Sequence, residues 1–170
     1  MARYERKDRF HRQAKREGFR SRAAYKLAEI DQSQRLLRRG ARVVDLGSWP
    51  GGWLQVSAEA VGPEGRVVGV DVTPLDPLPD AHVALIEADL AEAGLAERIR
   101  DALGGPADVV LCDAAPKLTG IRDRDRALEE ELLLAVEHLV PALLRPGGDL
   151  LLKILDCPEV RPIVQRLSAR

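Results

Sequence analysis

Acidic and basic residues recur at one kind of place in this chain, the end of a short apolar run. Asp45 follows Val43-Val44, Asp71 follows Val67–Val70, Asp89 comes just after Val83–Ile86, Asp113 follows Val109–Cys112, and Lys153 lies inside Leu150-Leu-Leu-Lys-Ile-Leu155. In an open α/β sheet, ligands bind beyond the carboxyl ends of the strands. Acids at such ends add nothing to a core, so they read as binding groups. Asp71 can accept both hydroxyls of a ribose, and Asp89 can meet the amino group of an adenine. Lysine is scarce: the chain has 21 Arg and 5 Lys (Lys7, Lys15, Lys26, Lys117 and Lys153). Where arginine is so preferred, Lys153 in an apolar setting suggests chemistry that arginine lacks. A lysine desolvated beside a second cation becomes a base, whereas arginine stays protonated. A lysine snorkelling from a strand end is the plainer alternative.

The first strand end opens the turn Asp45-Leu46-Gly47-Ser48-Trp49-Pro50-Gly51-Gly52-Trp53. Its three glycines let the backbone pass close to a ligand. The spacing differs from the G-x-G-x-x-G of dinucleotide sites, and the turn has no Lys or Arg to meet a phosphate. Taken singly, Asp71 and Asp89 read as turn or capping residues. Together with the glycine turn they predict an acidic, phosphate-free nucleoside pocket. S-adenosylmethionine, with its cationic sulfonium, suits such a pocket; ATP and NAD do not.

The elements that must position these groups alternate in kind. Ser21 is a plausible N-cap for a helix running to Leu37, with Gly40 just beyond it. Its apolar stripe is Ala23, Leu27, Ile30 and Leu37, and Lys26 falls about 60° from the middle of that stripe, at the edge of the buried face. From residue 41, apolar runs at Val43–Asp45, Val67–Val70, Val83–Ile86, Val109–Cys112 and Leu150–Leu155 read as parallel strands covered on both faces. Helical patterns lie between them at Trp53–Val61, Leu90–Leu103 and Arg126–Leu144, the last with Asp125 as N-cap and Arg145-Pro146-Gly147-Gly148 as its stop. The prediction is an α/β fold with a mostly parallel, doubly wound sheet over residues 41–170, preceded over 1–40 by a basic arm and the first helix.

Charge supports that division. Residues 1–42 carry 14 Lys+Arg against 5 Asp+Glu, and residues 43–170 carry 12 against 22, although the whole chain has a net charge of −1. All six aromatics (Tyr4, Phe10, Phe19, Tyr25, Trp49 and Trp53) fall in the first third. Arg3, Arg6, Lys7, Arg9, Arg12, Lys15, Arg16, Arg20 and Arg22 offer phosphate contacts, and Tyr4, Phe10, Phe19 and Tyr25 can stack on splayed bases, so the arm reads as an RNA-binding segment. A bare basic tail would have no use for aromatics. No apolar run approaches the ~20 residues of a membrane span, and there is no secretory h-region, so a cytoplasmic protein is expected. Cys112 and Cys157 read as small buried hydrophobes. His11, His82 and His138 are scattered, so no metal site is expected.

Several stretches resemble the FtsJ/RlmE-type ribose 2′-O-methyltransferases: Ser21-Arg-Ala-Ala-Tyr-Lys-Leu27, the Asp45–Trp53 turn, Asp71-Val-Thr-Pro-Leu-Asp-Pro77, Cys112-Asp-Ala-Ala-Pro-Lys-Leu-Thr-Gly120 and Leu151-Leu-Lys-Ile154. The resemblance covers about residues 8–155. It implies a Rossmann-like S-adenosylmethionine-dependent methyltransferase, with Gly51, Trp53, Asp71, Asp89 and Asp113 on the cofactor. It implies Lys26, Asp113 and Lys153 as catalytic residues, Lys153 being the proton acceptor. The implied reaction is methyl transfer to a ribose 2′-hydroxyl of a 23S ribosomal RNA uridine in the large ribosomal subunit. The family's fourth catalytic residue, a Glu near the C-terminus, and its last two strands have no counterpart in these 170 residues, and neither Asp156 nor Glu159 stands in that context. The sheet is therefore expected to lack those strands. That leaves a bare edge at Leu150–Leu155 through which an oligomer could form. Two alternatives stay open: a 2′-O-methyltransferase for transfer RNA or another RNA, and a non-catalytic RNA-binding homologue.

Overall fold

The computed structural model describes residues 12–116 and 119–169. The arm residues Arg3, Tyr4, Arg6, Lys7, Arg9, Phe10 and His11, and Lys117 in the loop after Asp113, lie outside that range. Five strands form one sheet: β1 (Arg42–Leu46), β2 (Arg66–Asp71), β3 (Val83–Glu87), β4 (Ala107–Cys112) and β5 (Leu144–Leu152). Their order is β3-β2-β1-β4-β5, and every neighbouring pair is parallel. The helices are α1 (Ala23–Gln34), α2 (Gly52–Val61), α3 (Leu95–Leu103), α4 (Arg122–Leu143) and α5 (Arg161–Ser168).

The strands' period of two sorts their side chains onto two cores. Val44, Leu46, Val68, Val70 and Val110 pack with α3, α4 and α5, while Val43, Val67, Val109 and Leu111 pack with α1 and α2. From β1 the chain proceeds outward to β2 and β3, then returns to the other side of β1 for β4 and β5. That reversal opens a crevice at the carboxyl ends of β1 and β4, where doubly wound sheets bind ligands. Asp71, Asp89 and Asp113 lie around it.

Several boundaries differ from expectation. α1 begins at Ala23 behind Arg22, without a side-chain cap, and the Ser21 hydroxyl has no hydrogen-bond partner. Ser21 instead packs against Gly52, where any side chain would collide with it. α1 ends at Gln34 because Arg35 turns left-handed (φ 52°). Leu37 is still buried, its amide held by Asp31 Oδ1 at 2.6 Å. α3 begins at Leu95, not Leu90. Asp125 lies inside the first turn of α4 and holds the amides of Thr119 and Gly120 at 2.6 and 3.1 Å. The stretch Arg145–Gly148, expected only to stop a helix, belongs to β5, and a register shift between Ala107 and Val109 absorbs it. β5 ends at Leu152, so Lys153 stands just past the strand, its amide still donating to Cys112 O at 2.9 Å.

The described part of the arm is docked on the domain. Residues 12–16 are helical and Ala14 is buried. The Phe19 and Tyr25 rings meet edge-to-face at 5.5 Å, and Tyr25 donates its hydroxyl hydrogen to Glu17 at 2.6 Å. Gln55 accepts from the Arg20 amide and donates to Gly18 O. The Arg20 guanidinium donates to the carbonyls of Asp76 and Pro77 at 2.6 and 2.9 Å. Residues 12–20 of the arm are thus packed on the domain. Phe19 and Tyr25 pack edge-to-face on each other, which leaves less of either ring for a base, and Arg20 is engaged with the protein's own backbone.

The crevice needs close backbone packing. Gly47 has φ 78°, and a Cβ there would strike Ala114 at a separation that real contacts do not show. Gly47→Ala should destabilise the fold by about 2–4 kcal/mol, from left-handed strain and overpacking together. Urea unfolding of the two proteins measures this directly.

Candidate active site

The carboxyl ends of β1, β2 and β4 and the loop after β3 surround a cavity of about 690 Å³, within the range of small-molecule and cofactor sites. Asp71, Asp89, Asp113 and Glu131 line it, and no described lining residue is Lys, Arg or His. Among the described residues this is a cleft built for a cation or a neutral group, not for phosphate. Asp71 closes β2, where Oδ2 accepts from the Trp49 amide at 2.9 Å and Oδ1 from the Thr73 amide at 2.8 Å. Asp89 Oδ1 accepts from the Ala91 amide at 2.8 Å. Both carboxylates therefore do the turn work that each residue read singly predicts. They also face the cavity, and each oxygen's second lone pair remains available.

A smaller cavity of about 190 Å³ adjoins the first and shares Gly47, Trp49 and Asp113 with it. It is lined by Ser21 and Arg22 before α1, by Asp45, and by the glycine turn through Gly52 and Trp53. Trp53 is buried, and its Nε1 donates to Ala23 O at 2.9 Å, tying α2 to α1. Gly51 lines neither cavity. It caps α2 at φ 107° and lies beneath the Arg20 side chain.

Asp45 is the residue whose importance sequence reasoning undervalued. It was visible as a strand end, but nothing in its neighbours tells how completely it is enclosed. It is 0% exposed, and neither carboxyl oxygen has a hydrogen-bond partner. Burial, then the charges of Asp113 and Asp71, push its pKa up to about 8. The Ser21 and Ser48 hydroxyls beside the same small cavity are likewise buried and unpartnered. Buried polar groups in folded proteins are normally paired. Unpartnered groups around one cavity therefore fit a polar, positively charged ligand end. S-adenosylmethionine offers such an end in its amino group and its sulfonium, so the residues present suit it.

Lys153 Nζ lies 2.5 Å from Asp113 Oδ1 and donates to Asp113 O at 2.7 Å. Half of its side chain is exposed (51%), against 25% for Asp113. This corrects the expectation of a lysine buried in an apolar strand: β5 stops one residue earlier, so the side chain leaves the sheet and meets an acid at the lip of the cleft. Lys26 is exposed on α1, with no hydrogen bond or ion pair among the described residues. Its expected place at the edge of the buried face is corrected, because Ala24 and Leu27 take the inward positions. The structure thus joins Lys153 to Asp113 but shows no contact of Lys26 with either. Asp156 and Glu159 are both occupied with arginines, Arg161 and Arg126.

Two residues were missed. Glu131 joins the cavity wall from α4, between Leu128, Leu132 and Ala135 at helical spacing, which is the pattern that could have revealed it. Glu129 is buried (3% exposed), and its Oε1 accepts from the Leu155 amide at 2.7 Å, fixing the loop that follows Lys153. Nothing in the run Glu129-Glu130-Glu131 distinguishes it.

A buried acid with a raised pKa makes stability depend on pH. Unfolded, Asp45 ionises near 3.8; folded, it holds its proton to about 8. The folded state is therefore penalised progressively as pH rises between those values. Asp45→Asn should gain on the parent by roughly 5 °C or more in melting temperature between pH 5 and pH 8. Equal shifts at both pH values would contradict the assignment.

The geometry agrees with what the chain is similar to. A family model described as FtsJ-like methyltransferase matches residues 19–170. A protein named ribosomal RNA large subunit methyltransferase E from Methanothrix thermoacetophila is 49% identical over 92% of this chain and 59% of its own length. One of the same name from Methanobrevibacter smithii is 37% identical over 96% of this chain and 78% of its own. Thus the chain spans little more than half of the first relative's length and about three quarters of the second's. A crystal structure described as a ribosomal RNA methyltransferase from Plasmodium falciparum superposes with a TM-score of 0.78 at 26% identity, covering 89% of this chain and 86% of that one. With a parallel α/β sheet, an acid-lined crevice at its switch point and a family match over nearly the whole chain, this protein belongs to the FtsJ-like methyltransferases.

Proposed function

We propose that the protein transfers a methyl group from S-adenosylmethionine to a ribose 2′-hydroxyl of large-subunit ribosomal RNA, on a uridine. The observation that carries this reading is the Lys153–Asp113 pair at the lip of a cavity lined by four acids and no described base. The names of the relatives, ribosomal RNA large subunit methyltransferase E, support the substrate class.

When bound, the cofactor supplies an electrophilic methyl group on a positive sulfur. Asp71 and Asp89 hold its ribose and adenine. Asp113 would favour its positive charges, and the buried, unpartnered Asp45 carboxyl would offer an acceptor to its amino group. Gly51 and Trp53 shape the turn against which it rests. Asp113 also anchors Lys153 through both its carboxylate and its carbonyl, so the amine stands at a fixed point beside the cleft. A ribose hydroxyl is a poor nucleophile until its proton departs. RNA settling over the half-exposed lysine excludes water from the reacting atoms. Lys153 then accepts the 2′-hydroxyl proton as a general base. Lys26, on the exposed side of α1, favours the developing negative charge on the oxygen. Alignment of the hydroxyl with the methyl donor supplies much of the remaining rate. Exposed Arg12, Lys15, Arg16 and Arg22 meet phosphates along the docked arm.

The test is transfer of labelled methyl to large ribosomal subunits. Lys153→Ala should lower it about 10²–10⁴-fold, the usual contribution of a general base, while cofactor binding by calorimetry stays close to that of the parent. Lys153→Arg should be equally inactive, because arginine keeps its proton. Substantial transfer by Lys153→Arg would refute the base role. RNA affinity should also fall steeply as salt rises from 50 to 200 mM; a flat response would remove the phosphate contacts from the account.

A further inference from the structure

Among the described residues, Trp49 is the large aromatic that the fold does not use. It is 57% exposed and belongs to neither hydrophobic core. The other described aromatics are engaged: Trp53 is buried and bonded to Ala23, and Phe19 and Tyr25 pack on each other. Its backbone is pinned, since its amide donates to Asp71 Oδ2 at 2.9 Å, which fixes the point from which the side chain projects. With Gly47 and Asp113 it lines both cavities, and Asp113 is the residue that holds the Lys153 amine. Arg22 lines the smaller cavity beside it.

A strand of RNA that reaches this place meets an electrostatic problem. The acids that favour a cationic cofactor repel its phosphates. Stacking offers attraction that does not depend on the phosphate charge, and it accepts any base because every base has a π-face. We propose that Trp49 is a stacking platform for a nucleobase of the single-stranded RNA segment that carries the acceptor ribose, with Arg22 beside it for an adjacent phosphate. The inference rests on the RNA reading above and adds to it the site where a base is held.

The experiment uses the full chain and two probes, a labelled twelve-nucleotide oligouridylate followed by anisotropy and S-adenosylmethionine followed by calorimetry. Trp49→Ala should weaken oligonucleotide binding roughly 5- to 150-fold, the range of one lost stacked base, a larger loss than in cofactor affinity, although the indole also lines the cofactor cavity. Trp49→Phe, which keeps a ring, should retain most of the oligonucleotide affinity. In the unsubstituted chain the oligonucleotide should quench tryptophan emission, and Trp49→Phe should bind without that quench. This second readout stands even if the alanine variant folds poorly. Unchanged oligonucleotide affinity in Trp49→Ala overturns the stacking site and leaves the methyltransferase reading intact. A loss of cofactor affinity as large as the loss of oligonucleotide affinity also overturns it, because the indole would then serve the cofactor. A parent chain that binds the cofactor but no oligonucleotide overturns the RNA reading itself, and the inference with it.

Discussion

Like-charge repulsion at the carboxyl end of the sheet governs most of what this molecule does. Parallel strands deliver Asp45, Asp71 and Asp113 to one crevice, and α4 adds Glu131. Carboxylates gathered in that way repel one another. The protein relieves the repulsion in three ways. Asp45 is withdrawn from water entirely, so its pKa is pushed up to about 8. Asp71 and Asp89 spend part of their charge on backbone amides. Asp113 takes Lys153. What remains is a negative potential inside the cleft, which suits a ligand with a positive sulfur and selects against phosphates.

The same constraint explains how the outer parts are arranged. The proposed RNA substrate is a polyanion, and its approach to an acidic cleft needs positive charge placed outside it. The arm carries that charge, and the described part of it is fixed to the domain by Arg20, Gln55 and the Phe19–Tyr25 pair. Trp53 joins α2 to α1 through Ala23 O, so the glycine turn and the helix that bears Lys26 are positioned together. The glycine turn and α1 are thus mechanically linked through one buried indole, while the second indole, Trp49, lines both cavities.

Local signals gave reliable element types and less reliable ends. Val-rich runs without alternation announced parallel strands, and all five appeared. The errors share a cause. Ser21 is a good capping residue by type, yet it packs on Gly52 because the turn leaves no room for anything larger. Arg145-Pro-Gly-Gly reads as a helix stop, yet β4 pairs with the strand that contains it, at the expense of a register shift. In both places a tertiary neighbour outweighed a propensity of about 1 kcal/mol.

The site divides along the same line. Sequence alone determined which groups would gather: strand-end acids, a glycine turn, one lysine in the last apolar run. Their order along the chain and the period of each element suffice for that, because a parallel sheet must bring its carboxyl ends together. Exposure and pairing were decided only by the tertiary structure. Whether Lys153 lay in the core or at the lip depended on where β5 ended, by a single residue. Whether Asp45 was one more surface acid or an enclosed, uncharged one depended on α1 and the glycine turn closing over it. Phe19 and Trp49 look equally free in the sequence, but Phe19 is packed on Tyr25 and Trp49 stays in water. Solvation and pairing are properties of neighbours brought from distant parts of the chain, and no local pattern records them.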